Sequence, residues 1–340
     1  MQDQREQVVA AVCERALGAT PATVRDLPTG NSKRTALVTL DDGREVVVQY
    51  RGRERSLAAE AAVTRAVAAR TDVPVAPVLG TGTVEDLGVT YLVTEHVAGD
   101  DLHERFAGLG PEHRSVLART LGRCLAAVHD AFAFDAPGRV AGTDDGDALG
   151  VPEPLPAGAF YREYLDRALA DWPGALAALE PRVETALGDR LDELPADEAR
   201  LFPWDYRPGN VIVQGGAGPA GGDGSLGADD PPEVAAVLDW DEPLAAHPGL
   251  SVAKAEFTLC DWYVRSEADV RALREAYRAG YREVRPYPDD AADAFRLLGI
   301  VASAADSRGE VTRPRYPIVD ADAAVAFHRE RIEAVLERLG

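Results

Sequence analysis

The stretch Phe202-Pro203-Trp204-Asp205-Tyr206-Arg207-Pro208-Gly209-Asn210-Val211-Ile212-Val213, with Asp239 standing 29 residues beyond Asn210 in Val237-Leu238-Asp239-Trp240, decides how this chain is read. The Pro-Gly pair favours a tight turn between Asp205 and Asn210, and β-branched residues follow it at once. A second β-like run, Val234 to Leu238, ends on Asp239. Two carboxylates and an amide are thereby carried toward the same end of a hairpin. An Asp and an Asn on a loop can equally cap a helix or form an Asx-turn. The third group gives the set a chemical sense. Phosphoryl transfer needs a carboxylate beside the acceptor hydroxyl, and an amide oxygen plus a second carboxylate to hold magnesium against the phosphates.

The run resembles the catalytic loop of aminoglycoside phosphotransferases, choline kinases and their relatives, in which a His-Gly-Asp-Leu-His-Pro-Gly-Asn string precedes a β-hairpin. The matching positions are Asp205, Pro208, Gly209, Asn210 and Asp239-Trp240. The resemblance implies that Asp205 is the catalytic base, Asn210 a magnesium ligand and Asp239 the chief magnesium ligand, with ATP as phosphoryl donor. It implies an α+β, two-lobed protein-kinase-like fold. A small β-rich ATP-binding lobe would span residues 1–98, and a mainly helical lobe holding the acceptor residues 99–340. Pro203 and Trp204 replace the usual His and Gly, and Arg207 stands where relatives often have His. Beyond Asp239, the acidic residue that usually begins the next helix is missing: Ser251-Val252-Ala253-Lys254 stands there, after Asp241 and Glu242.

The N-terminal third extends the resemblance. Thr29-Gly30-Asn31-Ser32-Lys33-Arg34 matches the short phosphate-covering loop of these kinases. Gly30 permits close backbone approach, and Asn31 and Ser32 offer small polar groups to phosphate oxygens. A Gly-Asn-Ser turn is also an ordinary connector. In the family, a strand corresponding to Glu45 to Tyr50 carries the cation that grips the α- and β-phosphates, and the next helix carries a Glu that braces it. Glu60, within Leu57-Ala58-Ala59-Glu60-Ala61-Ala62, is the brace by this reading. The gripping position falls on Gln49, with Arg51 two residues on and so on the same strand face. Arg51 is the candidate cation, and either residue could fill the position. Tyr91 to Gly99 resembles the hinge whose backbone binds adenine. His129 matches a family helix end and reads as structural.

Composition narrows the partners. With 57 acidic against 36 basic residues, a formal net charge of −21 opposes binding to nucleic acid or to a membrane surface. Only Lys33 and Lys254 among the basic residues are lysine. Dense carboxylates with almost no lysine suggest a salt-adapted, halophilic source, where mobile ions screen self-repulsion. Cys13, Cys124 and Cys260 lie far apart and indicate neither a disulfide framework nor a zinc site. The start lacks a basic segment and an apolar signal core, and no run approaches a membrane span, so the chain is expected to be cytoplasmic.

The periodicities predict a helix over residues 3–18, a hairpin from Thr35 to Leu40 and Glu45 to Tyr50 around Asp41-Asp42-Gly43, and a helix from Ser56 to Ala69. A second hairpin is expected from Val84 to Gly88 and Val89 to His96. Helices then dominate: Pro111 to Phe132, Phe160 to Trp172, Val183 to Leu194, Ser251 to Tyr263, Glu267 to Tyr281 and Asp320 to Leu339. Gly138 to Pro156 reads as loop, and residues 215–232 as a flexible insertion.

The activity implied is transfer of the γ-phosphoryl of ATP to a hydroxyl of a small molecule. The alternative is a pseudokinase, a nucleotide-binding regulatory module with little or no turnover. The altered loop start and Gln49 favour it; retention of Asp205, Asn210 and Asp239 opposes it. The acceptor and the oligomeric state are not legible, because in so acidic a chain local acidity does not mark a cation site.

Overall fold

The computed structural model describes residues 2–27, 33–143, 148–195, 198–215, 231–264, 266–289, 291–306, 308–312 and 320–340. Its N-terminal part comprises α1 (Gln2–Leu17), β1 (Pro21–Leu27), β2 (Arg34–Leu40), β3 (Glu45–Gly52), α2 (Ala58–Arg70), β4 (Val78–Val84) and β5 (Val89–Glu95). The five strands form an antiparallel sheet in the order β1-β2-β3-β5-β4. Alternation along β2 and β3 puts Ala36, Val38 and Leu40 beside Val46, Val48 and Tyr50, and Val8, Val9, Val12 and Cys13 of α1 cover that face. Each fully buried valine there contributes roughly 1.5–3 kcal/mol. The opposite face carries Gln49 and, directly paired with it, Leu92, against which Leu57 and Ala61 pack beside α2. Glu60 of α2 is buried on this side, which Lys33 links to Asp239 of the C-terminal part.

Two strands differ from expectation. β1 has no alternating burial, as befits an edge strand, and so leaves no periodic signal. The second hairpin begins at Val78, not Val84, and turns through Glu85–Leu87 and a left-handed Gly88 at φ +61°. Its Gly-Thr-Gly run packs tightly, for a Cβ at Gly80 would come within 2.9 Å of Ala16 Cβ.

The C-terminal part is mainly helical, beginning with β6 (Asp100–Asp101), α3 (Leu102–Arg105), α4 (Pro111–Ala131) and α5 (Ala157–Ala170). α4 crosses the Glu267–Arg282 helix at close quarters. A Cβ at Gly122 would lie 2.0 Å from Tyr277 O, and one at Gly280 1.8 Å from Arg119 O. The helix expected from Val183 to Leu194 is two pieces, Glu180–Leu187 and Arg190–Glu193, separated at Gly188 with φ +25°. The one expected from Ser251 to Tyr263 starts earlier, at Pro248, capped by the His247 ring, and passes from α-helix (Pro248–Glu256) into a π-turn over Phe257–Asp261. Ala292–Val301 is a helix not foreseen. The stretch from Gly138 to Pro156 holds only two-residue strands. Most of the expected insertion, 216–230, lies outside the described residues.

Two strand pairs position the loops of interest. Val211–Gln214 pairs antiparallel with Glu233–Val237 on one side and with β6 on the other. Ala199–Phe202 pairs antiparallel with Leu244–Ala246, Phe202 opposite Leu244. Residues 203–210 and 238–243 therefore connect the same two strand pairs and run beside each other.

Candidate active site

Pro208–Asn210 form a 3-10 turn that brings Asn210 back onto Asp205. Asn210 Nδ2 donates to the Asp205 carbonyl (2.8 Å) and to Asp205 Oδ2 (3.3 Å), leaving the amide oxygen as the side chain's remaining polar atom. Leu238 N donates to Asn210 O at 2.7 Å, stitching the two loops together immediately before Asp239. Asp239 adopts the left-handed conformation, φ +60°, which costs a non-glycine residue on the order of 1 kcal/mol. Arg207 Nε donates to Asp205 Oδ2 at 2.8 Å. Burial alone would raise the Asp205 pKa, but Arg207, Lys254 and the hydrogen bonds from Arg207 and Asn210 outweigh it and hold it below the usual carboxylate value. Asp205 is an ionised carboxylate at neutral pH.

The cation at Glu60 is Lys33. Lys33 Nζ lies 2.7 Å from both Glu60 oxygens and 2.7 Å from Asp239 Oδ1, joining the helix brace to the hairpin loop. The side chains of Lys33 and Glu60 are 7% and 3% exposed, so this is a desolvated contact. Burial lowers the Lys33 pKa, but Glu60, Asp239 and Asp241 together raise it well above the ordinary value. Burial pushes Glu60 up to about 7 against the pull of Lys33. The register explains the placement. Arg34 faces Tyr50 and Thr35 faces Gln49, so Lys33, one step before β2, projects on the same side as Gln49 and Arg51 from the neighbouring strand.

Arg51 makes different contacts. Its Nη1 and Nη2 donate to the two oxygens of Asp241 (2.7 and 3.1 Å), its Nε to Arg55 O and its Nη2 also to Ser56 O. The guanidinium is thus fixed at the loop 238–243 and does not serve as the partner of Glu60. Gln49 stands between Thr35 and Leu92 in the sheet. Glu60, Asp239 and Asp241 present carboxylate oxygens within 4.8 Å of one another, a set able to hold a cation.

On the other flank of Asp205 sits a second group that the sequence did not single out. Lys254 Nζ donates to the Trp204 carbonyl at 2.5 Å and lies 4.1 Å from the Trp204 ring centroid. Arg167 of α5 lies over the same ring at 4.9 Å and pairs with Glu242, which also pairs with Arg55. Trp204, at the position of the family's Gly, is therefore a platform for two cations. His129 is fully buried, bonded to Tyr281 Oη (2.7 Å) and Ser251 Oγ (3.2 Å), and burial pushes its pKa far down.

Of the residues singled out in the sequence, Asp205, Asn210, Asp239 and Glu60 fall in one linked cluster, the candidate cleft between the sheet and the loops 203–210 and 238–243, and Arg51 stands at its edge on Asp241. Gly30, Asn31 and Ser32 lie outside the described residues. Lys33, Lys254, Arg167, Asp241 and Glu242 complete the set. One signal could have found the first two: they are the chain's only lysines, and both are in this cleft.

Fold and cleft together define a small-molecule phosphotransferase. The chain belongs to the phosphotransferase enzyme family, whose model matches residues 23–287. Among solved structures it resembles a thermostable mutant of aminoglycoside phosphotransferase APH(4)-Ia in ternary complex with ADP and hygromycin B, with a TM-score of 0.63 at 15% identity over 98% of each chain. It also resembles apo macrolide 2'-phosphotransferase MphH from Brachybacterium faecium, with a TM-score of 0.54 at 19% identity over 97% of this chain and 98% of that one. A third is the GDP and kanamycin complex of APH(2")-IIIa, with a TM-score of 0.56 at 13% identity over 98% and 97%. At such identities the likeness speaks to the fold. No curated protein matches the sequence.

Proposed function

We propose that the protein transfers the γ-phosphoryl group of ATP, with magnesium, to a hydroxyl of a small molecule bound in the C-terminal part of the cleft. The observation that carries this reading is the linked cluster of Asp205, Asn210, Asp239 and the Lys33–Glu60 pair. Asp205 accepts the proton of the acceptor hydroxyl as its oxygen bonds to phosphorus, the bond to the bridging oxygen breaks, and ADP departs. Arg207 holds Asp205 ionised and oriented. Lys33, braced by Glu60, places an ammonium on the phosphates, the role the family gives to a strand cation. Asp239 and Asp241, two of the three carboxylates that lie within reach of one cation, together with the Asn210 amide oxygen, would hold magnesium, which would neutralise phosphate charge. Lys33 removes the main argument for a pseudokinase, because Gln49 in the strand no longer leaves the phosphates without a cation.

The test is acceptor-dependent release of nucleoside diphosphate, with ATP and GTP compared, in wild type and Asp205→Asn. The reading expects turnover that falls by roughly 10²–10⁴-fold in the variant while nucleotide affinity holds. Nucleotide binding with no turnover on any acceptor would return the pseudokinase.

A further inference from the structure

The charge around Asp205 runs against the sign of the chain. Lys254 feels Asp205, Arg207, Arg167 and Glu242, and Glu242 is shared by Arg167 and Arg55. Four cations, Lys254, Arg207, Arg167 and Arg55, thus stand with Asp205 and Glu242, while Asp239 bears on Arg207 from the far side, in a protein whose formal net charge is −21. Both carboxylates are already engaged: Asp205 by Arg207, and Glu242 by two guanidiniums. An ammonium group from an acceptor would have to compete with these guanidiniums for either carboxylate. Lys254 is 5% exposed and its nearest polar contact is a carbonyl, not a carboxylate. Burial is the largest cause that holds its pKa down to about 8, with Arg207 and Arg167 adding to it against the pull of Asp205 and Glu242. Every other basic residue except Lys33 is arginine, so lysine here answers a local need. A compact ammonium can sit over an indole ring and under its carbonyl where a planar fork cannot.

We propose that the acceptor is an anionic alcohol, a small molecule bearing a carboxylate or phosphate group, with its anion held by Arg167 in the field of Lys254 beside Trp204 and its hydroxyl at Asp205. The proposal rests on the reading of this cleft as a phosphotransferase site. It would separate the protein from the structurally similar phosphotransferases whose structures hold hygromycin B or kanamycin. The guanidinium of Arg167, 37% exposed at its side chain, is reachable from solvent, and the buried Lys254 supplies field behind it.

The experiment has two readouts. Nucleotide binding is measured first by calorimetry. Acceptor binding and turnover are then measured on the nucleotide-loaded protein with three sets of probes. These are anionic alcohols (gluconate and glycerate for carboxylates, glucose 6-phosphate and glycerol 3-phosphate for phosphates), neutral sugars, and cations (kanamycin and choline). The proposal expects an anionic alcohol to bind and turn over, and the two anionic arms identify which anion is read. Arg167→Gln and Lys254→Met should each raise the KM for that acceptor at least tenfold while the KM for nucleotide holds. Preference for a cation or a neutral sugar, or binding of none of the anionic alcohols to nucleotide-loaded protein, overturns the proposal and leaves the kinase reading standing. Failure to bind nucleotide overturns both.

Discussion

Replacing Lys254 by methionine should make the protein more stable at neutral pH. The lysine is 5% exposed and fixed between the Trp204 carbonyl and ring, and its pKa falls from the ordinary 10.5 to about 8, with burial the largest cause. At about 1.4 kcal/mol for each tenfold change in proton affinity, keeping this ammonium charged at pH 7 costs the folded state about 3 kcal/mol. Methionine fills the same volume without the charge but leaves the Trp204 carbonyl without its donor, which returns about 1 kcal/mol. The net expectation is stabilisation by about 2 kcal/mol at pH 7. The folded pKa lies below the unfolded one, so between pH 8 and 10.5 the unfolded chain binds more protons and the wild type gains stability as pH rises. The advantage of Lys254→Met should therefore be full below pH 8, gone near pH 10 and slightly reversed above it. Urea denaturation at pH 7 and pH 10, at fixed ionic strength, measures this. A methionine variant less stable than wild type at pH 7 would refute the reasoning, and would mean that Asp205 and the indole more than offset the burial of the charge.

Lys33→Met should lower turnover by roughly 10²-fold or more, since it removes the cation beside the phosphates, and Gln49→Lys in that background should recover part of the loss from the neighbouring strand; steady-state kinetics of the three proteins decides it. With an anionic acceptor, kcat/KM should decline as pH rises through about 8, where Lys254 loses its proton, and pH profiles should show that limb absent in Lys254→Met. Asp205 is held below the ordinary carboxylate range, so no loss of activity from its protonation is expected down to about pH 5, as the acid limb of the same profiles will show. The thermal midpoint should climb between about 0.1 M and about 1 M KCl, because the self-repulsion of a chain at −21 is screened there, and calorimetric scans report it.

The turn and strand from Arg207 to Val213 are legible because their information is local: Pro208 and Gly209 dictate the turn, and β-branched Val211, Ile212 and Val213 dictate the strand. The helices that present one apolar stripe, α4 and Glu267–Arg282, were legible for the same reason. What escaped depends on contacts between distant segments. Lys33 stands opposite Arg51 only once β2 and β3 have paired, and inspection along β3 alone arrives at Arg51. Arg51 itself is drawn to Asp241, 190 residues away. Trp204 looked like a defect in a motif, and its use as a cation platform requires Lys254 and Arg167 from two separate helices. The strand from Val78 was hidden because Gly80 and Gly82 serve packing, not flexibility.

A crystal structure of the complex with magnesium and a non-hydrolysable ATP analogue tests the central claim most directly. The account predicts Lys33 Nζ on phosphate oxygens while still bonded to Glu60, the metal on Asp239 and the Asn210 amide oxygen, and the γ-phosphate facing Asp205. Phosphates gripped by Arg51 with Lys33 turned away, or a nucleotide bound outside this cleft, would contradict it.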